Sequence, residues 1–255
     1  MTEHILTDLE NGILTVRLNR PAKKNALTAE MYSALAEALA RAGRDEEVRV
    51  LLLAGSEGVF TAGNDLEDFL RNPPQGAEAP VFRFIAGLVE TDVPLVAAVD
   101  GAAVGIGTTL LLHCDCAVAS DRSQFSLPFI NLALVPEAGS SMLLVEACGY
   151  KKAAELLMMG EPFSAGQALD CGIVSRVCAA GEVLEEARKM AALLAAKPRG
   201  ALRSTKRLLR RAKEPLADRA RAEAVLFSEC LASPAAKEAF TAFLEKRAPD
   251  FSRFD

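Results

Sequence analysis

Residues 93–141 constrain the fold of this chain more than any other stretch. The apolar run Leu95 to Val99 predicts a buried strand, Asp100 and Gly101 its turn, and Gly105, Ile106 and Gly107 a loop that opens into a helical run near Thr108. That order leaves unpaired backbone N–H groups at the helix start, where the helix dipole adds partial positive charge. Glycines on either side of Ile106 keep side chains away from those donors, so a ligand's oxyanion can approach them. The same glycines could serve close packing alone, and these residues by themselves leave both readings open. A dinucleotide site fits less well. Gly101, Gly105 and Gly107 do not spell G-x-G-x-x-G, and no G-x-x-x-x-G-K-[ST] phosphate loop occurs in the chain.

With 255 residues, 51% hydrophobic and 25% charged, the chain suffices for one large domain or a core with a helical appendage. Its net charge of −5 argues against bulk nucleic-acid binding while leaving room for one basic face. The six cysteines show no disulfide framework. His113, Cys114 and Cys116 are the only close cluster and lack further ligands at workable spacing, so reduced, buried thiols and no metal are expected. The first residues lack a basic segment followed by an apolar one, and no apolar run approaches ~18 residues. The end, Arg253, Phe254 and Asp255, is not the S-K-L peroxisomal address. A cytoplasmic chain with no membrane contact is therefore expected.

In chain order, Ile5 to Leu9 and Ile13 to Leu18 flank Asn11-Gly12 and predict a β-hairpin. Arg20 to Ala26 is a loop with three positive charges, including Lys23 and Lys24, followed by Thr28 as the N-cap of a helix to about Ala42. Val48 to Leu53 reads as a strand buried on both faces. Phe60 to Leu66 then forms a second small-residue turn before a helix capped by Asn64 or Asp65. Two such turns could present one backbone N–H each to a shared point, the minimum of an oxyanion hole. Residues 71–80, rich in Pro, Gly and Ala, read as a mobile surface loop or lid.

Phe125 to Leu134 reads as extended and apolar, with Pro136 opening a helix to about Gly149 and Glu137 in its first turn. Beyond Gly149, a helix over Lys151 to Met159, a capping box at Ser164 and Gln167, and a strand from Ile173 to Cys178 follow. From Gly181 onward the composition turns helical, with breaks at Pro198, Pro215 and Ser233-Pro234. Within it, Lys197 to Lys213 carries eight basic and no acidic residues, which suits a solvated face or, less well, a phosphate contact.

These motifs together resemble the crotonase, or enoyl-CoA hydratase/isomerase, superfamily. The carrying runs are Phe60 to Leu66, Pro94 to Gly107, Cys114 to Ser120, Val135 to Gly139 and Ser164 to Val174, which span nearly the whole chain. The resemblance implies an α/β fold, a stack of ββα units, with a core over 1–195 and a C-terminal α-helical oligomerisation region over 196–255. It implies an acyl-CoA thioester substrate with no separate cofactor, and a homotrimer or hexamer. The apolar stripe Phe240, Phe243 and Leu244 suits such an interface. By the same resemblance, the oxyanion donors are the backbone N–H groups of Ala62 and Ile106. Asn64, Asp65 and Leu66 would line the substrate, and Lys23, Lys24, Lys246 and Arg247 would meet the CoA phosphates.

The subgroup rests on carboxylates. Where the family's hydratases carry two glutamates, this chain has Thr109 and Phe129, neither of which can deprotonate a water at neutral pH. Glu137 instead matches the single glutamate of the peroxisomal-type Δ3,Δ2-enoyl-CoA isomerases, the subgroup the chain resembles more closely. A 1,3-proton shift needs one base, and Glu137 is the candidate. The apolar neighbours expected for it are Phe129, Leu132, Leu134 and Met142. The alternatives are a hydratase or hydrolase of the same fold acting on a specialised acyl-CoA, and a non-catalytic or RNA-binding member.

Overall fold

The structure is a computed structural model that describes residues 3–211 and 214–251. Lys213 and the last three residues lie outside the described residues. Its elements in chain order begin with β1 (Ile5–Glu10), β2 (Ile13–Leu18), α1 (Ala29–Arg44), β3 (Val50–Ala54), α2 (Leu66–Arg71) and α3 (Pro80–Glu90). The middle of the chain supplies β4 (Leu95–Val99), β5 (Ala102–Val104), α4 (Ile106–Thr109), β6 (Cys116–Ser120) and β7 (Gln124–Ser126). There follow α5 (Ser140–Cys148), α6 (Tyr150–Met159), β8 (Phe163–Ser164), α7 (Ala165–Asp170) and β9 (Arg176–Cys178). Four helices close the chain: α8 (Val183–Ala195), α9 (Arg199–Leu209), α10 (Leu216–Ala232) and α11 (Pro234–Leu244).

Six strands form one sheet in the order β1-β2-β3-β4-β6-β9, parallel except for the β1–β2 hairpin. The continuous apolar runs of β3 and β4 follow from burial on both faces. Leu51, Leu53, Leu95 and Ala97 enter the core shared with α1 and α3, while Val50, Leu52, Val96 and Ala98 meet Val183, Ala187 and Ala191 of α8. A three-stranded sheet, β5-β7-β8, continues directly from β4 through Asp100 and Gly101. Thr28 and Asp65 cap α1 and α2, and Ser164 with Gln167 forms the expected capping box.

Three expectations need correction. Phe125 to Leu134 is not one extended run: β7 ends at Ser126 and a 3-10 turn covers Ile130–Leu132. Pro136 does not open a helix, because Ala138 and Gly139 both adopt left-handed φ, 53° and 68°, and α5 starts at Ser140. The basic α9 is neither a solvated face nor a phosphate contact along its whole length. Buried Lys206 bonds Asp115 Oδ2 at 2.7 Å and the Val93 carbonyl at 2.6 Å. Arg203 bonds the Ala42 carbonyl and pairs with Asp92, and Arg210 donates to the carbonyls of Leu88, Thr91 and His113. This stripe fastens α9 to carbonyls in the last turns of α1 and α3 and to the loops before β4 and β6. By contrast α11 packs on α10 and α10 on α9, leaving Phe240, Phe243 and Leu244 exposed.

Candidate active site

The two small-residue turns are bonded to each other. Thr61 N–H donates to the Ala102 carbonyl and Val104 N–H to the Thr61 carbonyl, a parallel bridge that sets the turn before α2 beside the turn before α4. The glycines permit this approach. A Cβ on Gly63, where φ is +84°, would lie 2.6 Å from the Val104 carbonyl oxygen, and one on Gly107 would lie 2.5 Å from Thr61 Cγ2. Any larger residue at either position would push the turns apart.

Within these turns one expected donor fails. Ala62 N–H is spent on the Lys24 carbonyl at 2.9 Å, so it has no hydrogen left for a ligand. Its neighbour Asn64 is differently placed: Leu27 N–H bonds the Gly63 carbonyl and Asp65 N–H bonds the Leu27 carbonyl. Asn64 N–H lies between these two bonds and finds no acceptor among the described residues. Ile106 N–H, at the first position of α4, likewise has none, since the α4 capping bonds begin with Thr108 N–H to the Gly105 carbonyl.

Glu137 is anchored from α4. The Thr109 hydroxyl donates to Glu137 Oε1 at 2.5 Å, while Glu137 Oε2 is buried without a partner among the described residues. Burial pushes the carboxyl up to about 7, against the pull of the Thr109 hydroxyl. Because Glu137 precedes α5 by three residues, it does not occupy that helix's first turn. The apolar surroundings are narrower than expected. Phe129 is buried, but Leu132, Leu134 and Met142 are exposed in the single chain. The buried Tyr32 of α1 donates its phenol hydrogen to Asn64 Oδ1. Burial, and after it the Glu137 charge, holds that phenol well above its ordinary value.

The remaining expected site residues divide. Asp65 is committed to structure: Oδ2 pairs with Arg20 at 2.7 Å and Oδ1 accepts Glu67 and Asp68 N–H. The Arg20 bond holds its carboxyl below the usual range. Leu66 is exposed at the start of α2. Lys23 and Lys24 are exposed on the loop that meets the first turn. Arg247 is held by Glu238 and Glu245, each at 2.6 Å. Among the described residues no hydrogen bond or ion pair links Arg247 or Lys246 to the Lys23–Lys24 loop. No group of three or more His, Cys, Asp or Glu able to hold a metal occurs among the described residues. No helix there is long and apolar enough to cross a membrane.

Sequence reasoning missed Asn25. Buried, with a left-handed φ of 54°, its amide donates to the Val59 and Phe60 carbonyls, and its Oδ1 accepts Arg20 N–H. The signal was an Asn at the end of a charged loop, since Asn tolerates the left-handed region.

The sequence profile of the enoyl-CoA hydratase/isomerase family matches residues 8–253. The chain belongs to this family. Among its relatives, 2,3-dehydroadipyl-CoA hydratase of Escherichia coli K12 is 33% identical over 249 residues, 97% of this chain and 98% of that protein. Human enoyl-CoA delta isomerase 2 is 34% identical over 235 residues, covering 89% of this chain and 58% of its own length. A Magnetospirillum magneticum AMB-1 structure assigned to enoyl-CoA hydratase/carnithine racemase superposes with a TM-score of 0.96 at 48% identity, covering 99% and 100% of the two chains. The Magnetospirillum structure thus shares this fold over its full length, while the relatives carry the names of different activities.

Proposed function

We propose that this family member shifts the double bond of a 3-enoyl-CoA thioester to give the 2-enoyl-CoA, with Glu137 as the one acid–base group. The observation that carries the reading is Glu137 itself, a carboxylate pushed up to about 7, with one oxygen held by Thr109 and the other buried and unpartnered. A base tuned near neutrality takes a proton readily and returns it readily. Glu137 removes the C2 proton, and the C–H electrons spread into a dienolate whose charge rests on the thioester oxygen. The backbone N–H groups of Asn64 and Ile106 hold that oxygen. The protonated Glu137 then delivers the same proton to C4, and the double bond settles between C2 and C3. Coenzyme A is part of the substrate and no separate cofactor enters.

Hydration or hydrolysis of a specialised acyl-CoA is the second reading, favoured by the hydratase names among the relatives. It is disfavoured by Thr109 and Phe129 at the positions where the resembled hydratases carry glutamates. Purified protein incubated with paired 3-enoyl and 2-enoyl thioesters decides between them. Isomerisation without hydration, lost by about 10² to 10⁴ in Glu137→Gln, is expected. Hydration of the 2-enoyl thioester as the faster reaction refutes the proposal. The exposed Phe240, Phe243 and Leu244 further support assembly into a homotrimer or hexamer, which a monomer mass by light scattering would exclude.

A further inference from the structure

Glu137 stands at the entry to a backbone reversal that is costly to hold. Ala138 carries a left-handed φ of 53°, a region unfavourable for a residue with a Cβ, and Gly139 continues the reversal at 68°. Two side chains restrain it. Ser140 Oγ donates to the Glu137 carbonyl at 2.6 Å, and His113 Nε2 lies 2.7 Å from the Ala138 carbonyl. A carbonyl oxygen only accepts, so that nitrogen must carry the proton. His113 is buried, and its position is fixed from behind by Arg210, whose guanidinium donates to the His113 carbonyl. Burial first, then the charges of Arg210 and Lys206, hold the imidazole below its ordinary value, against the Ala138 carbonyl.

We propose that His113 is a positioning residue for the base: its Nε2–H grips the Ala138 carbonyl while Thr109, four residues earlier on the same helical stretch, grips the Glu137 carboxylate. One short segment, continuous from the Ile106 turn, thereby fixes both the backbone and the side chain of the base relative to the oxyanion donor. The proposal rests on the reading of Glu137 as the base. Its consequence is kinetic, since a displacement of about 1 Å in a reacting group can cost about 10² in rate with little effect on binding.

The chain contains two histidines, so a ¹⁵N-histidine label reports two imidazoles. His113 is expected as the neutral Nε2–H tautomer at pH 7 to 8, and an Nδ1–H tautomer overturns the proposal. His113→Leu should lower kcat about 10- to 100-fold with KM within about threefold, and His113→Gln, which restores a donor, should recover most of the loss. A kcat unchanged in His113→Leu, or equally low in both variants, overturns it. A carbon-13 titration of Glu137 without substrate separates this idea from the isomerase reading. In His113→Leu the carboxyl should fall from about 7 toward its ordinary value as the loop opens to water. Movement of that titration in a protein inactive on 3-enoyl thioesters leaves the positioning role standing and removes the reaction. An unmoved titration removes the role alone. If His113→Leu does not fold, the wild-type tautomer and the glutamine variant decide.

Discussion

The Thr109 hydroxyl donates to Glu137 Oε1 at 2.5 Å, joining the residue that replaces one expected hydratase glutamate to the carboxylate that remains. A hydroxyl donor favours the charged carboxylate and so opposes the rise caused by burial. The position that would supply a second acid supplies a tuning bond instead.

Removing that bond should make Glu137 a poorer base at neutral pH. In Thr109→Val the carboxyl loses its stabilising donor and its pKa rises further. Activity that needs the ionised form should then disappear at higher pH as acid is added, with the rate at pH 6.5 down about 3- to 10-fold. Profiles of kcat/KM against pH for both proteins check this. An acid limb that stays in place, or moves down, contradicts it.

Glu137 should also cost stability where it is charged. Its folded pKa of about 7 lies above the ordinary carboxylate value, so the unfolded chain ionises first and stability declines as pH rises from about 4.5 to 7. Glu137→Gln removes the penalty, partly offset because the residue is only half-buried. The variant should be more stable than wild type at pH 8 by about 1–3 kcal/mol and nearly equal at pH 4. Urea unfolding at the two pH values measures the difference, and a variant weaker at pH 8 would show that the carboxylate is not strained there.

The sheet, the caps and the break points of the C-terminal helices were legible because each has a local cause. β3 and β4 are continuous apolar runs, Asp65 is a side-chain cap, and Pro198 and Pro215 cannot continue a helix. The site was legible in its parts but not in its hydrogen bonds. Whether Ala62 or Asn64 keeps a free N–H depends on where Lys24 and Leu27 arrive, some forty residues away in sequence. The reversal at Ala138 was hidden for a similar reason. Pro136 suits a helix start, whereas the left-handed turn that forms carries bonds from His113 to the Ala138 carbonyl and from Ser140 to the Glu137 carbonyl.

Lys23 and Lys24 are exposed on the loop whose Lys24 carbonyl accepts from the first turn, and attraction of CoA phosphates is the role proposed for them. Their attraction is screened by salt over about 10 Å at 0.1 M. The Lys23→Ala, Lys24→Ala pair should raise KM several-fold at low ionic strength and leave kcat nearly unchanged, and the gap should close in about 0.5 M salt. An unchanged KM at low salt counts against these residues. Arg247→Ala, which breaks the Glu238 and Glu245 pairs, should act on the C-terminal helices first.

The sharpest test of the first turn separates Asn64's backbone from its side chain. Asn64→Ala loses the amide that accepts from Tyr32 but keeps the N–H, whereas Asn64→Pro loses both. Because Asn64 N–H takes no acceptor among the described residues, proline there breaks no backbone bond of the folded chain. Its neighbours' bonds, Leu27 N–H to Gly63 and Asp65 N–H to Leu27, are unaffected in kind. Loss of one oxyanion donor typically costs about 10² to 10³ in kcat. The alanine variant should therefore stay within about tenfold of wild type, while the proline variant falls by about 10² to 10³ at a similar melting temperature. Equal activity in the two variants would mean that the thioester oxygen is held elsewhere, with the Ile106 N–H as its remaining donor.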